Sequence, residues 1–160
     1  MSPRAASRLE SLGFTRVYDY VAGQADWLAN GLPTEGRDAK RPSAGDVATR
    51  DVPTCHLSDR IGEVRARVQA AGRDSCLVVN DAGVVLGRLR GDALDQPADT
   101  PAEQVMEAGP TTIRPDTELT EVAERMRKQG VTSIIVTTTG GHLVGILNRA
   151  AAEHQQERTP

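Results

Sequence analysis

The chain has 160 residues, of which 38% are apolar and 26% charged, so it can bury one compact core or two very small ones. Its 19 basic and 22 acidic side chains leave a net charge of -3, which excludes the basic field that nucleic-acid binding requires. The two cysteines exclude a disulfide framework and a closed zinc site, and no apolar run is long enough to span a membrane or to direct secretion. We therefore predict a soluble cytoplasmic protein that binds neither nucleic acid nor membrane and holds no metal.

The N-terminal part differs in composition from the remainder, because all the aromatic residues lie within the first 27 positions. Residues 2–13 predict an amphipathic helix ended by a glycine, Thr15–Tyr20 predict a strand, and 21–28 predict a turn into another helix. The polar, Gly- and Pro-containing stretch 34–46 indicates a linker. The N-terminal part is therefore predicted as a separate helix-strand-helix segment.

An internal repeat organises the rest of the chain. A shift of 58 residues places 44–94 on 102–152 without a gap, and thirteen positions are then identical. The identities include Gly87 with Gly145. At several other positions both copies have an apolar residue, as at Ile61 and Leu119. Self-similarity of this kind predicts two copies of one supersecondary unit that bury their apolar faces together.

Each copy predicts the order β-α-β-β-α, with an amphipathic helix, a hairpin with a glycine turn and a short closing helix. The amphipathic helices end at Gly72 and Gly130, where a left-handed residue is needed. The predicted segments are Pro53–Leu57, a helix from Ser58, Ser75–Val79, Val84–Leu89 and Gly91–Leu94 in the first copy, and Thr111–Arg114, a helix from Asp116 or Thr117, Ser133–Thr138, His142–Leu147 and Arg149–Gln155 in the second. The predicted fold class is α/β of the α+β kind.

These features divide the chain into six parts. Two repeats are flanked by linkers, an N-terminal segment and a tail, with boundaries at 1–33, 34–43, 44–95, 96–101, 102–156 and 157–160. Seventeen of the nineteen basic residues are Arg, a bias that we attribute to a bacterium of high GC content.

The repeat resembles the CBS domain, whose tandem pair is called a Bateman module. The residues that carry the resemblance are Ile61–Val64 and Leu77–Gly87 in the first copy, and Leu119–Val122 and Leu143–Leu147 in the second. The resemblance implies two repeats packed as a pseudo-twofold pair that form a homodimer. It also implies a non-catalytic regulatory module that binds an adenosyl ligand, such as AMP, ADP, ATP, S-adenosylmethionine or NADH, between its repeats.

The resemblance also implies where the ligand binds. The family motif G-h-h-[ST]-x-x-D, in which h is an apolar residue, supplies a hydroxyl group and a carboxylate that accepts both ribose hydroxyls. The first copy has Arg90 at the hydroxyl position and Asp92 one position early, while the second has Asn148 and, at the carboxylate position, Ala151. The implied ligand-binding residues are Asp92, Arg90, Thr54, Arg73, Asp74, Ser75, Thr112, Arg114, Val131, Thr132, Ser133, Asn148 and Arg149.

The N-terminal segment carries a second resemblance. Leu12-Gly13-Phe14, Trp27 and Gly31-Leu32-Pro33 are similar to the C-terminal part of a rhodanese-like domain, in which Arg4 would be the last residue of the active loop. The catalytic cysteine of such a loop would precede Arg4, where the sequence has none. The stretch from Cys55 to Arg60 has the spacing of a thiolate loop, but its repeat counterpart lacks both residues, so we assign no catalytic residue.

Three functions remain open from the sequence. The first is a regulatory CBS pair that binds an adenosyl nucleotide and signals to an unknown partner protein through linked affinities. The second is a dimerising scaffold without a ligand, which the departures of the second motif favour. The third, more remote, is a truncated rhodanese-type sulfurtransferase.

Overall fold

The computed structural model describes residues 2–21, 23–36 and 41–157. The helices are α1 (Ser2–Ser11), α2 (Gly23–Ala29), α3 (Ala44–Val47), α4 (Ile61–Ala70), α5 (Ala102–Val105), α6 (Leu119–Gln129) and α7 (Arg149–Glu157). The strands are β1 (Thr54–Cys55), β2 (Ser75–Val79), β3 (Val85–Arg90), β4 (Glu107–Ala108), β5 (Thr112–Ile113), β6 (Ser133–Thr137) and β7 (Leu143–Asn148). No helix in these ranges is long and apolar enough to cross a membrane. Part of the predicted linker, 37–40, and most of the predicted tail lie outside the described residues.

Two small mixed sheets confirm the predicted fold class. One sheet has the order β1-β2-β3-β4 and the other the order β5-β6-β7. In each repeat the first strand is parallel to the second, and the second and third form an antiparallel hairpin. The closing element is a full helix, α7, in the second repeat, whereas in the first it is only the 3-10 turn Gly91–Ala93. The predicted order of elements is otherwise present twice.

The pseudo-twofold relation is visible where the two hairpins meet. Val84 forms a bridge with His142, its own counterpart in the other repeat. The Leu143 N–H donates to the Gly83 carbonyl and the Val85 N–H to the Gly141 carbonyl, both at 3.0 Å. The two sheets also share an apolar cluster formed by Leu77 on β2, Ile135 on β6 and Ile146 on β7. The repeats are therefore packed as a symmetric pair.

Each repeat completes the core of the other. Ala44, on α3, lies within the core of the second repeat, and Ala102, on α5, lies within the core of the first; both are fully buried. The Ala44 N–H donates to the Thr117 carbonyl and the Ala102 N–H to the Asp59 carbonyl, each at 2.9 Å. The sequence pattern did not predict α3 and α5. The core of each repeat is closed by the first helix of the other repeat.

The same exchange explains why α4 and α6 begin later than predicted. The residues expected to cap them, Ser58 and Asp116 or Thr117, lie in the turns before the helices, whose first residues are Ile61 and Leu119. A helix N-terminus needs acceptors for its first N–H groups. Here the Thr100 carbonyl accepts from Ile61 at 2.9 Å and the Pro42 carbonyl accepts from Leu119 at 3.2 Å. Backbone from the linkers that lead into α3 and α5 replaces the side-chain caps.

The N-terminal segment contains the two predicted helices, α1 and α2, but the predicted strand Thr15–Tyr20 is wrong. These residues have no regular structure, and no strand among the described residues pairs with them. A strand is stabilised by its hydrogen-bonded ladder, which this segment does not form. The α2 helix packs against the second repeat, because Ala29 joins its core and the Arg50 guanidinium donates to the Ala29 carbonyl at 2.7 Å.

Gly145→Ala is expected to destabilise the pair by about 1–3 kcal/mol, because an added methyl group would overpack the contact between the repeats. The new Cβ would lie 2.5 Å from the Thr49 carbonyl oxygen, a backbone atom of the crossing segment. Gly140→Ala is the control, since its Cβ would meet side chains alone, the exposed His142 ring at 3.0 Å and the Thr138 hydroxyl at 3.8 Å. Thermal unfolding measures both variants. Equal melting temperatures for the two would contradict the argument.

Candidate functional site

A cleft of about 220 Å³ lies between the two repeats, close to their pseudo-twofold axis. We call it the inter-repeat cleft; it is lined by Thr49, Val52, Pro53, Arg73, Asp74, Ser75, Arg88, Thr132, Ser133, Ile146 and Asn148. Both repeats contribute polar groups to it, and the wall also has an apolar part. Pockets that bind small molecules commonly combine an apolar surface with a few convergent polar groups.

Two equivalent turns bring the polar groups of the cleft together. Gly72 and Gly130 have φ values of 61° and 66°, a left-handed conformation that turns the chain from α4 into β2 and from α6 into β6. The residues at the starts of these strands, Ser75 and Ser133, therefore face the same cleft. The Ser133 register with Asn148 places the amide of Asn148 beside them.

The opposite wall is the segment between α3 and β1. Thr49 and Ile146 exchange two backbone hydrogen bonds of 2.9 Å, which fix this segment against β7 of the other repeat. Pro53 is buried and Val52 half-buried at the same wall. The cleft is thus bounded by the same crossing contacts that join the two cores.

Arg88 is the most unusual side chain in the cleft, because it is a buried cation with only 9% of its surface exposed. Its Nη2 donates to Ser133 Oγ at 2.9 Å and to Ser75 Oγ at 3.4 Å, while its Nε is buried without a hydrogen-bond partner. Burial, and then the neighbouring Arg90, lower the pKa of Arg88. A guanidinium nevertheless stays charged in proteins.

The pseudo-twofold axis relates the part of the cleft formed by Thr49 and Asn148 to a second face on which the side chains differ. The counterparts of Thr49 and Asn148 are Glu107 and Arg90, which form an ion pair of 3.1 Å between half-exposed side chains. At these two positions one face therefore has neutral polar side chains, and the other has two opposite charges that form an ion pair. Although the backbone is nearly symmetric, the two faces are chemically distinct.

Six of the predicted ligand-binding residues line the inter-repeat cleft: Arg73, Asp74, Ser75, Thr132, Ser133 and Asn148. The other seven lie outside its lining: Thr54, Arg90, Asp92, Thr112, Arg114, Val131 and Arg149.

The side chains outside the cleft occupy several environments. Asp92 is exposed on the 3-10 turn, and Val131 packs against the core of the second repeat. Thr54 and Thr112 lie on β1 and β5, paired with the central strands. The Arg149 N–H, at the start of α7, donates to the Thr132 carbonyl at 2.9 Å.

Sequence reasoning missed Arg88, Thr49, Val52, Pro53 and Ile146 as lining residues. A signal for Arg88 was present, since it occupies an apolar position of the family motif and its repeat counterpart is Ile146. The other four lie in the cleft only because the repeats cross. That crossing depends on α3 and α5, which the sequence pattern did not reveal.

Other groups in the described part of the chain offer weaker chemistry. A groove of about 970 Å³ between α2 and the start of α6 is larger but open to solvent. Cys55 and Cys76 are both buried, and a hydrogen bond between the thiols, together with burial, raises the pKa of Cys76. No cluster of three His, Cys, Asp or Glu in the described ranges could hold a metal ion.

Comparison with known proteins identifies the repeat. The sequence model of the CBS-domain family matches residues 44–90 and 102–151, which together make up more than half of the chain. A search of curated protein sequences finds no significant match.

Solved structures show the same fold. The cytosolic domain of the Mg2+ channel MgtE in complex with ATP superposes with a TM-score of 0.66 at 23% identity, covering 73% of this chain and 50% of that one. CBSX2 from Arabidopsis thaliana, in complex with AMP, superposes with a TM-score of 0.65 at 16% identity, covering 73% of this chain and 97% of that one. The CBS domain pair of MJ0100, in complex with 5'-methylthioadenosine and S-adenosyl-L-methionine, superposes with a TM-score of 0.63 at 16% identity, covering 75% of this chain and 99% of that one. At these identities the similarity shows the fold.

Arg114→Ala is expected to destabilise the second repeat by about 1–3 kcal/mol, because it removes charged hydrogen bonds at a half-buried position. Arg114 donates to Thr137 Oγ1 at 2.8 Å and to the carbonyl oxygens of Thr137 and Thr138. Arg125→Ala, an exposed substitution on α6, is the control. The test is chemical denaturation of both variants, and a midpoint as high for Arg114→Ala as for Arg125→Ala would contradict this role.

Proposed function

Because the chain belongs to the CBS-domain family and carries the domain as a tandem pair, we propose that it is a non-catalytic regulatory protein that binds an adenosyl ligand. The observation that carries the proposal is the inter-repeat cleft, which is built from both repeats and has polar and apolar walls. Three similar structures contain ATP, AMP, or methylthioadenosine with S-adenosylmethionine, as their descriptions state. These descriptions support a ligand of this class for the cleft.

The side chains of the cleft suit the parts of an adenosine compound. The flat base would pack against the apolar wall of Val52, Pro53 and Ile146, which leaves the sugar at the polar wall. Ala151 cannot supply the ribose-binding carboxylate of the family motif. We assign that task to Asp74, which lines the same cleft and can accept both vicinal hydroxyls.

Arg90 and Asp92 lie away from this cleft, so their predicted contact with a ligand concerns the counterpart face. On that face Arg90 is already paired with Glu107. A phosphate there would have to compete with the Glu107 carboxylate. Their role as ligand-binding residues stays a prediction, and our proposal places the ligand in the inter-repeat cleft.

A ligand in this position would touch both repeats, and it could therefore bias their relative arrangement. If a partner protein binds the two arrangements unequally, the ligand changes the affinity for that partner by linkage. We include a homodimer in the proposal, because the resemblance to the tandem CBS pair implies one. Sedimentation velocity measures the oligomeric state directly.

Thermal unfolding of the full chain against AMP, ADP, ATP, S-adenosylmethionine and NADH tests the proposal. A ligand at one hundred times its dissociation constant stabilises the folded state by about 2.7 kcal/mol, which raises the melting temperature by several degrees. Thr132→Phe should abolish the shift, because Thr132 is exposed at the cleft and a ring there blocks entry. Thr139→Phe, also exposed but on the hairpin turn, is the matched control and should keep the shift.

The scaffold function is the second candidate, and the departures at Asn148 and Ala151 favour it. If the protein is such a scaffold, none of the five compounds should change its melting temperature or its oligomeric state at millimolar concentration. A shift that survives in Thr132→Phe would instead place the ligand outside the inter-repeat cleft.

A further inference from the structure

We infer that Arg88 makes the inter-repeat cleft selective for a negatively charged ligand, namely a phosphorylated adenosine in preference to a neutral or sulfonium-bearing one. The inference rests on the proposed function and assigns its ligand class. Arg88 does not belong to the predicted set of ligand residues, and it stands at a position of the family motif that is otherwise apolar.

Arg88 is buried without a counter-ion among the described residues. Its contacts are two neutral serine hydroxyls, and no carboxylate in the described part of the chain lies within ion-pair distance of it. Asp74 and Glu107 favour its charged form, but only from a distance. Removing a cation from water is costly unless a paired anion compensates. An anion in the cleft would provide that pairing.

Three neighbouring side chains of the cleft, Arg88, Ser75 and Ser133, have hydrogen-bond donors without a described acceptor. The Arg88 Nε–H is buried and lacks an acceptor. Ser75 and Ser133 accept hydrogen bonds from Nη2, so their own hydroxyl protons stay available to donate. A phosphate group in the cleft could accept hydrogen bonds from these hydroxyl groups and pair with the guanidinium.

The fold does not require an arginine at this position. The counterpart in the second repeat, Ile146, occupies the equivalent place on β7 and is also buried, with 8% exposed. The hairpin geometry of β6 and β7 matches that of β2 and β3, including the register shift near the turn. An aliphatic side chain is sufficient for packing there, so the charge of Arg88 calls for a different explanation.

Isothermal titration of the full chain with AMP, adenosine and S-adenosylmethionine tests the inference. We expect AMP to bind about 10- to 100-fold more tightly than adenosine, the range for hydrogen bonds to a charged group. S-adenosylmethionine should bind no more tightly than adenosine. In Arg88→Met, AMP and adenosine should bind within about threefold of each other, because the removed cation is what distinguishes them.

Two further variants separate charge from packing. Arg88→Lys keeps the cation without the guanidinium fork, and it should retain part of the preference for AMP. Arg125→Met, at an exposed site on α6, is the control and should leave the preference unchanged. The unliganded Arg88→Met protein should melt no lower than the wild type, because it lacks an unpaired buried charge. A much lower melting temperature would show that Arg88 holds the repeats together, and would overturn the inference.

The failures of the two proposals are distinguishable. If AMP and adenosine bind the wild type equally, and Arg88→Met changes neither, the role of Arg88 is overturned while the proposed function stands. If no adenosine compound binds, the proposed function fails, and titration with inorganic pyrophosphate then decides the anion site. Pyrophosphate binding that disappears in Arg88→Met supports the site, whereas the absence of binding to the wild type overturns it.

Discussion

The exchange of α3 and α5 between the repeats is the constraint on which the rest of the structure depends. Each of these four-residue helices inserts a fully buried alanine into the core of the other repeat. The linkers that lead into α3 and α5 supply two carbonyls: that of Pro42 caps α6, and that of Thr100 caps α4. Core packing, helix capping and the position of the inter-repeat cleft are therefore set by one set of crossing contacts.

A nearly symmetric backbone carries an asymmetric set of side chains. Three pairs of counterparts account for the difference at the cleft and its related face: Arg88 with Ile146, Arg90 with Asn148, and Glu107 with Thr49. On one face Thr49 and Asn148 are neutral and Arg88 is a cation without an ion-pair partner beside a cavity, whereas on the other Glu107 and Arg90 form an ion pair. Since the repeat supplies two equivalent frameworks, a few substitutions are enough to make one face differ from the other.

The sequence predicted what local patterns determine. The four hairpin strands agree with their predicted bounds to within one residue, because turn glycines and apolar runs mark them. The starts of α4 and α6 were misplaced, since carbonyls distant in sequence cap them. The strand Thr15–Tyr20 has a strand-like composition but no ladder partner. Six predicted residues line the cleft, whereas Arg88 acquires its importance only from burial, which a local pattern does not report.

The crossing helices also make the molecule equivalent to a heterodimer of two repeats joined by the tether 96–101. In such an arrangement the tether sets the effective concentration at which each half meets the other, and a short tether makes it very high. The same contacts could equally be made between two chains, which is the geometry of domain swapping. The length and stiffness of that linker therefore control whether the cores are completed within one chain or between two.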